Sequence, residues 1–264
     1  LLDKGADVNR ANMNGYTALY FSCSHGHIDI VLLLLNKSAE VDKEVYKANN
    51  TETPLYIACV NGHLDVVRLL LDNGADIDRY LKIGNTYSTQ LMIACLNDNV
   101  DIVRLLLYKG AKVNLSDKDG MTPLHAACNE GNVNIVQILL DNGANVDRAD
   151  DRDTTPLMIA CQNGHVDVGH ILLNNGANVN LVDENGFTTL SMACKNDHID
   201  VARLLLENGA EVDQADKYGC TPLWIACQKG HFDVAQLMLN KGAEINRADK
   251  YGCTSLFSAC QNGH

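Results

Sequence analysis

The chain has 264 residues, of which 33 are acidic and 21 basic, and its formal net charge at pH 7 is −12. This balance argues against nucleic acid or an anionic membrane surface as the main partner, because proteins that bind such surfaces usually carry a basic footprint. The longest apolar run, residues 30–35, is far shorter than the ~20 residues of a membrane-spanning helix, so no membrane insertion is expected. The acidity either favours a protein partner with a basic or neutral surface or only keeps the chain soluble.

The first predicted elements lie within residues 1–44. Residues 1–11 are interpreted as the end of an incomplete repeat and residues 12–44 as the first complete one. In that repeat Ala18 stands where later repeats have proline at the start of a helix, and Ser38 stands where they have glycine after a helix. Both changes are expected to reduce helix stability.

The next two repeats, residues 45–80 and 81–116, include unusually long connections. The stretch from residue 39 to 53 is three residues longer than the equivalent stretch from 210 to 221, and so is the stretch from 75 to 89. The extra length is either a neutral insertion, which surface loops tolerate well, or a specialised finger that contacts a partner. The longer connections carry Tyr46, Lys47, Tyr80, Lys82 and Tyr87.

From residue 117 onward the repeats are regular in length. Asp153 occupies a position where other repeats carry glycine, and its turn is expected to survive because aspartate tolerates left-handed backbone better than most residues. The predicted bounds are 117–149, 150–182, 183–215, 216–248 and, for a last incomplete repeat, 249–264.

The repeat at residues 216–248 shows the predicted elements most clearly. Thr221 is suited to cap a helix, with Pro222 at the first helical position and a break at Gly230. A second helix is predicted from about residue 232 to residue 240, followed by a left-handed glycine at Gly242. The polar residues 243–252 are predicted to form a projecting loop that resembles a hairpin.

One leucine position and the motifs around it recur with a fixed period. The leucine recurs every 33 residues from Leu124 to Leu256, and upstream at Leu19, Leu55 and Leu91 with intervals of 36, 36 and 33 residues. The motifs are TPLHAAC at 122–128, TPLMIAC at 155–161, TPLWIAC at 221–227, NGH at 61–63 and 163–165, and LLLDNGADID at 69–78.

Two helices and a turn in a 33-residue period are typical of ankyrin repeats, and the chain resembles the ankyrin-repeat family over its whole length. The resemblance implies an all-α solenoid in which each repeat is a helix-turn-helix unit with a projecting β-hairpin-like loop. Small side chains on the first helices and larger ones on the second predict that the repeats stack into a curved, elongated body. We expect this body to be a single domain and a monomer.

Ten cysteines could indicate disulfides or a metal site. Eight of them share one repeat position, and neighbours there lie roughly 8–10 Å apart, beyond the ~7 Å Cα separation of a disulfide. No CxxC pair offers zinc-ligand spacing, so we predict small buried hydrophobic residues, no metal and no cofactor. Cys220 and Cys253 lie in loops and are expected to be more exposed. The eight are Cys23, Cys59, Cys95, Cys128, Cys161, Cys194, Cys227 and Cys260.

Six histidines share a second repeat position between the two helices. The same spacing keeps them too far apart to share a metal ion. The family resemblance implies that they brace the turn between the helices, and that His125 is the family's other structural histidine. The six are His27, His63, His165, His198, His231 and His264.

The sequence contains no recognisable catalytic motif. A glycine-rich phosphate loop, HExxH and GxSxG are all absent, so the chain is predicted not to be an enzyme. Cysteines without a disulfide framework suggest a reducing compartment, and we expect an intracellular, cytoplasmic location. The N-x-S/T sequons at Asn36, Asn49 and Asn114 are then expected to be unused.

The family resemblance implies a scaffold or adaptor that binds a protein partner through a concave surface of loops and first helices. Contacts are predicted at three loop positions of each regular repeat and, in one repeat, at two positions that end the first helix. These residues are Lys118, Asp119, Met121, Asp151, Arg152, Thr154, Glu184, Asn185, Phe187, Lys217, Tyr218, Cys220, Gln228, Lys229, Lys250 and Tyr251.

Aromatic residues are unexpectedly frequent in the predicted loops, where six of the nine tyrosines and Phe187 lie. They either hold adjacent loops together or anchor a partner.

Two other functions remain as alternatives to the scaffold or adaptor. The array could belong to a larger enzyme, channel or signalling protein, or it could be a substrate for asparagine hydroxylation at Asn9, Asn180 and Asn246, which resemble such sites in ankyrin repeats.

Overall fold

The computed structural model of the chain describes residues 1–47 and 50–264, so the sequon at Asn49 lies outside the described residues. None of the described helices exceeds nine residues, and none is long and apolar enough to cross a membrane. After a short 3-10 helix at Leu2–Lys4, the elements are α1 (Ala18–Ser24), α2 (Ile28–Asn36), β1 (Val45–Lys47), β2 (Asn50–Glu52), α3 (Pro54–Val60), α4 (Leu64–Asp72), β3 (Leu81–Ile83), β4 (Thr86–Ser88), α5 (Gln90–Leu96), α6 (Val100–Tyr108), α7 (Pro123–Glu130), α8 (Val133–Asp141), α9 (Pro156–Asn163), α10 (Val166–Asn174), α11 (Thr189–Lys195), α12 (Ile199–Glu207), α13 (Pro222–Lys229), α14 (Phe232–Asn240) and α15 (Ser255–Asn262).

The described chain packs as two compact units, residues 1–127 with 141–144 and residues 128–140 with 145–264. In the first unit α1 packs on α3 and α3 on α5, while α2 packs on α4 and α4 on α6. In the second unit α9, α11, α13 and α15 pack in series, and α10, α12 and α14 form a second series. Each unit therefore has one layer of first helices and one layer of second helices, as the helix-turn-helix prediction requires.

A threonine begins the first helix of most repeats. Thr221 Oγ1 accepts a hydrogen bond from Trp224 N at 3.2 Å, and Pro222 occupies the first helical position, as predicted. The predicted bounds of α14 are also confirmed, and Gly230 and Gly242 have left-handed backbones. Equivalent threonine caps are Thr17, Thr53, Thr89, Thr155, Thr188 and Thr254.

Four described residues other than glycine, Ser38, Asp98, Asp153 and Asp197, hold left-handed turns that glycine holds elsewhere. Asp153 has a φ of 59°, so the expected turn survives there. Ser38 follows α2 with a φ of 65°. Because a left-handed backbone strains residues with a Cβ atom, the strain supports the prediction that Ser38 reduces stability.

Buried polar side chains, Gln90, Thr189 and Ser255, replace proline at the start of three helices, and the first two bond to the connection before their helix. Thr189 Oγ1 donates to Val179 O at 2.7 Å. In the amide orientation that satisfies its neighbours, Gln90 Nε2 lies 3.0 Å from the carbonyl oxygens of Ile77 and Arg79. Both side chains are fully buried, so these bonds connect each helix to the preceding connection and offset the missing proline.

The two long connections form true antiparallel hairpins. Strand β1 pairs with β2, and β3 pairs with β4, whereas loops of the second unit contain single bridges. Val45 and Leu81 are fully buried at the starts of the hairpins. Tyr20 in α1 donates from its hydroxyl to the buried Glu52 carboxylate, and burial together with this bond raises the pKa of Tyr20. The extra residues thus contribute to packing, while contact with a partner stays a prediction.

The repeated histidines connect one repeat to the next, rather than only bracing their own turn. His198 Nε2 donates to Gln162 O at 3.0 Å, and its ring lies above Gly164, which ends α9. Gly164 has a φ of 77°, and a Cβ atom there would lie 2.8 Å from the ring. Among residues 1–47 and 50–264 no group of three or more His, Cys, Asp or Glu is arranged to hold a metal ion. Equivalent bonds join His63 to Ser24 O, His165 to Asn129 O and His231 to Lys195 O.

Candidate protein interface

An aspartate side chain fixes the tips of the regular loops. Asp216 Oδ1 accepts hydrogen bonds from Tyr218 N at 2.8 Å and Cys220 N at 2.9 Å. Asp249 Oδ1 holds Tyr251 N at 2.9 Å in the same way. Because the carboxylate holds the backbone of the tip, the two tyrosines project from it, with 54% of Tyr218 and 80% of Tyr251 exposed.

Backbone hydrogen bonds also join successive loop tips within the second unit. Each bond runs from the amide nitrogen of one tip to a carbonyl oxygen of the preceding tip. The loop tips therefore form a fixed row and are not independent flexible segments. The bonds run from Glu184 N to Arg152 O at 2.9 Å, from Lys217 N to Asn185 O at 3.0 Å, and from Lys250 N to Tyr218 O at 2.9 Å.

A cavity of about 410 Å³ opens between this row and the first helices. Trp224, on α13, forms part of its wall and donates from Nε1 to Cys253 O at 3.1 Å, which fixes the indole ring. The cavity can accept an apolar side chain, because most of its wall is carbon. It is lined by Phe187, Lys195, Asp216, Tyr218, Cys220, Trp224, Ile225, Gln228, Lys229, Asp249 and Tyr251.

A second cavity of about 220 Å³ adjoins the first. The two cavities share Phe187 and Lys195, whose ammonium nitrogen lies 5.3 Å from the centre of the Phe187 ring. This cation–π contact places a positive charge at the boundary between the two cavities. The rest of the second cavity is mainly polar and consists of Gln162, Asp183, Asn185, Met192 and Asn196.

The structure brings together only part of the predicted contact surface. Lys118, Asp119 and Met121 belong to the first unit. Within the second unit Asp151, Arg152, Thr154, Glu184, Lys217 and Lys250 line neither of the two cavities. The predicted residues that do line them are Asn185, Phe187, Tyr218, Cys220, Gln228, Lys229 and Tyr251.

Sequence reasoning missed several residues of the larger cavity. Trp224 is the only tryptophan in the chain, which was a usable signal, but it lies inside a motif interpreted as structural. Lys195 directly follows a cysteine of the repeated position, and its place beside Phe187 depends on how α11 packs against the loop before it. Asp216 was not distinguished from the other acidic loop residues, although its carboxylate orders the tip.

The loop tyrosines divide between the two roles that the sequence left open. Tyr80 donates from its hydroxyl to Ser116 O at 2.9 Å, and Tyr16 packs against the aromatic rings of α1, so both stabilise the first unit. Tyr218 and Tyr251 instead border the cavity with large exposed surfaces. Tyr46 and Tyr87 are exposed on the two hairpins, so for them the alternatives stay open.

The prediction that Cys220 is exposed is wrong. Only 8% of Cys220 is exposed, because the loop tip of the next repeat packs over it. Burial, with smaller effects from Asp216 and Asp249, raises the pKa of the Cys220 thiol to about 12. Cys260 is exposed, although its repeat position predicted burial, because no described helix covers that face of α15. Cys227 is half-buried.

These differences change the expected order of cysteine labelling. A thiol reagent is expected to modify Cys260 first and the half-buried Cys253 next, whereas Cys220 and Cys59 react only on unfolding. Burial raises the pKa of Cys59 to about 12, so near neutral pH it carries roughly a thousandth of the thiolate of an ordinary cysteine. Mass spectrometry of timed labelling measures the order, and early modification of Cys220 would contradict the packing of its loop.

The asparagines that resemble hydroxylation sites differ in their surroundings. Asn180 Nδ2 donates to Gly209 O at 3.2 Å, and its Oδ1 accepts from Glu211 N at 3.0 Å. Asn9 makes the equivalent pair of bonds to the following repeat. Asn246 is exposed. The amides of Asn9 and Asn180 therefore connect repeats, and hydroxylation stays a prediction.

Comparison with known proteins agrees with this architecture. A segment of 51 residues is 45% identical to a probable E3 ubiquitin-protein ligase, XBOS33, of Oryza sativa subsp. japonica, and it covers 19% of this chain but only 10% of that protein. The family model that matches describes three copies of the ankyrin repeat. It matches five segments of the chain, some of which overlap, at residues 1–80, 82–150, 147–216, 170–249 and 212–264. With paired helices throughout the described residues and this match along its length, the chain belongs to the ankyrin-repeat family, whose repeats are protein-interaction modules.

Proposed function

We propose that the chain is a non-catalytic scaffold or adaptor that binds a protein partner through its loop tips and the ends of its first helices. The observation that carries the proposal is the cavity bordered by Phe187, Tyr218, Trp224 and Tyr251. Interface energy concentrates on a few aromatic anchors and the pockets that they fill or form. Four aromatic side chains around one opening provide such a site.

The order of this surface also favours binding. Asp216 and Asp249 hold the loop tips, and backbone bonds fix each tip to the next. A surface that is ordered before binding loses less conformational freedom when a partner docks. Tyr218 and Tyr251 therefore offer large contact areas at a small entropic cost.

Alanine at both Tyr218 and Tyr251 is expected to weaken partner binding at least about tenfold, because each anchor typically contributes ~2 kcal/mol or more. The free energy of unfolding should change by only about 0.5 kcal/mol, as for other exposed positions. A partner isolated by affinity capture on the whole chain, followed by calorimetric titration against both proteins, measures the first effect. Thermal unfolding measures the second.

Tyr108→Ala is the matched control, since Tyr108 is 84% exposed at the end of α6 and outside the row of loop tips. It should leave both binding and stability unchanged. Normal binding by the Tyr218 and Tyr251 variant would contradict the proposed surface. Early melting of that variant would instead identify the two tyrosines as parts of the folded core.

A second proposal is that this array serves a larger protein whose activity lies outside the chain. The partial identity to a probable E3 ubiquitin-protein ligase supports it, with the present chain as the part that selects the target protein. Immunoprecipitation from the native host tests this proposal. A species much larger than 28.8 kDa that transfers ubiquitin to a co-purified protein supports it, and a species of that mass contradicts it.

A further inference from the structure

Unpaired lysines surround the aromatic cavity of an otherwise acidic chain. Lys195 and Lys229 line the cavity, and Lys217 and Lys250 are exposed on the adjacent loop tips. Within the described part of the chain, none of these four has a carboxylate oxygen within 4.0 Å of its ammonium nitrogen. Lysines elsewhere do form such pairs, namely Lys37 with Asp3, Lys43 with Glu40, Lys109 with Asp72, and Lys112 with Asp78.

Three aspartates, Asp183, Asp216 and Asp249, line the two cavities beside the lysines. Each accepts hydrogen bonds from amide groups of its own loop. Lys217 donates from Nζ to the carbonyl oxygen of Glu184, a neutral group that leaves its charge uncompensated. The aspartates keep their charge but make no direct ion pair with the four lysines in the described part of the chain, so these ammonium groups can pair with a carboxylate of a ligand.

The two adjoining cavities suit two kinds of side chain. The larger one is mainly apolar and aromatic, and the smaller one is mainly polar, with Lys195 at their boundary. When an apolar side chain of a ligand occupies the larger cavity, the residues next to it in the ligand chain lie near Lys195 and Lys229. A carboxylate there gains a charge-assisted hydrogen bond from the lysine.

We infer that this surface binds an extended acidic segment of a partner protein, in which a bulky apolar side chain lies beside aspartate or glutamate. The inference rests on the proposed function and specifies the chemistry of the partner. The apolar side chain fills the cavity between Trp224, Tyr218 and Tyr251, and the acidic side chains pair with the four lysines. A basic segment would leave these lysines unpaired.

Selection of a displayed library of random linear peptides on the whole chain tests the inference. The enriched peptides are expected to combine net negative charge with a bulky apolar residue. For a synthetic copy of one enriched peptide, Lys195→Glu with Lys229→Glu should raise the dissociation constant at least about tenfold, because opposite charges become like charges. Added salt should weaken binding to the original chain.

Lys4→Glu with Lys241→Glu is the matched control, because it changes the net charge equally at exposed residues that line neither cavity. An equal loss of affinity in the control pair would overturn the inference, since bulk charge would then explain the effect. Enrichment of basic or uncharged peptides that still require Tyr218 and Tyr251 would overturn the inference but leave the proposed function intact. If no peptide binds above background, the inference is overturned, whereas the proposed function is judged separately by the captured partner and the Tyr218 and Tyr251 variant.

Discussion

Replacing Leu157 with alanine is expected to lower the free energy of unfolding by about 3–5 kcal/mol. Leu157 is fully buried in α9, which packs against α11 in the second unit. The substitution removes apolar surface from the core and leaves a cavity that rigid helix backbones cannot fill completely. Urea unfolding followed by far-ultraviolet circular dichroism measures the change.

Leu256→Ala is the control for this substitution, because Leu256 occupies the same repeat position three repeats later but is 73% exposed. It should cost less than about 1 kcal/mol, since few contacts are lost and no cavity forms. The comparison separates burial from the helix propensity of the two residue types. Similar losses at both positions would show that Leu157 does not belong to a tightly packed core.

Replacing Gly164 with alanine is expected to cost about 2–5 kcal/mol, the second large effect. Alanine at a φ of 77° strains the backbone by roughly 1–2 kcal/mol, and its Cβ atom would lie 2.8 Å from the His198 ring. Moving the ring away adds a packing cost of about 1–3 kcal/mol and breaks the bond from His198 Nε2 to Gln162 O. Equilibrium unfolding in urea gives the total cost.

Gly176→Ala isolates the backbone contribution, since Gly176 has a φ of 85° and no atom within 4 Å of an added Cβ. It should cost only about 1–2 kcal/mol. The difference between the two variants measures the contact with the histidine ring. Equal costs would mean that the ring moves aside freely and that the histidine contact contributes little to the junction between repeats.

The features that were predictable from sequence are those set by neighbours along the chain. The start of α13 at Pro222, the cap at Thr221 and the bounds of α14 follow from capping preferences and apolar spacing within one repeat. The left-handed turn at Asp153 follows from the backbone preference of one residue type. Local rules were sufficient for each of them.

The features that were missed depend on residues a whole repeat apart. Cys220 is buried by the following loop, and Val45 and Leu81 enter the core because their longer connections fold back as hairpins. The candidate site shows the same limit. Tyr218 and Tyr251 were predicted as projecting loop residues, but the indole of Trp224 completes the cavity only because α13 packs beside both loops.

The bonds between loop tips have a consequence for how such a chain can change its length. Their donors at residues 184, 217 and 250 are spaced by 33 positions, and so are their acceptors at 152, 185 and 218. Excision of residues 183–215 would bring Lys217 N opposite Arg152 O and His231 opposite Gln162 O, so each bond would find an equivalent acceptor. A deletion that is not a whole number of repeats would shift the donors after it out of register with the acceptors before it. Recombination can therefore remove or duplicate whole repeats while the bonds between the remaining tips persist, and loss of this one would remove Phe187 and Lys195 from the cavity lining.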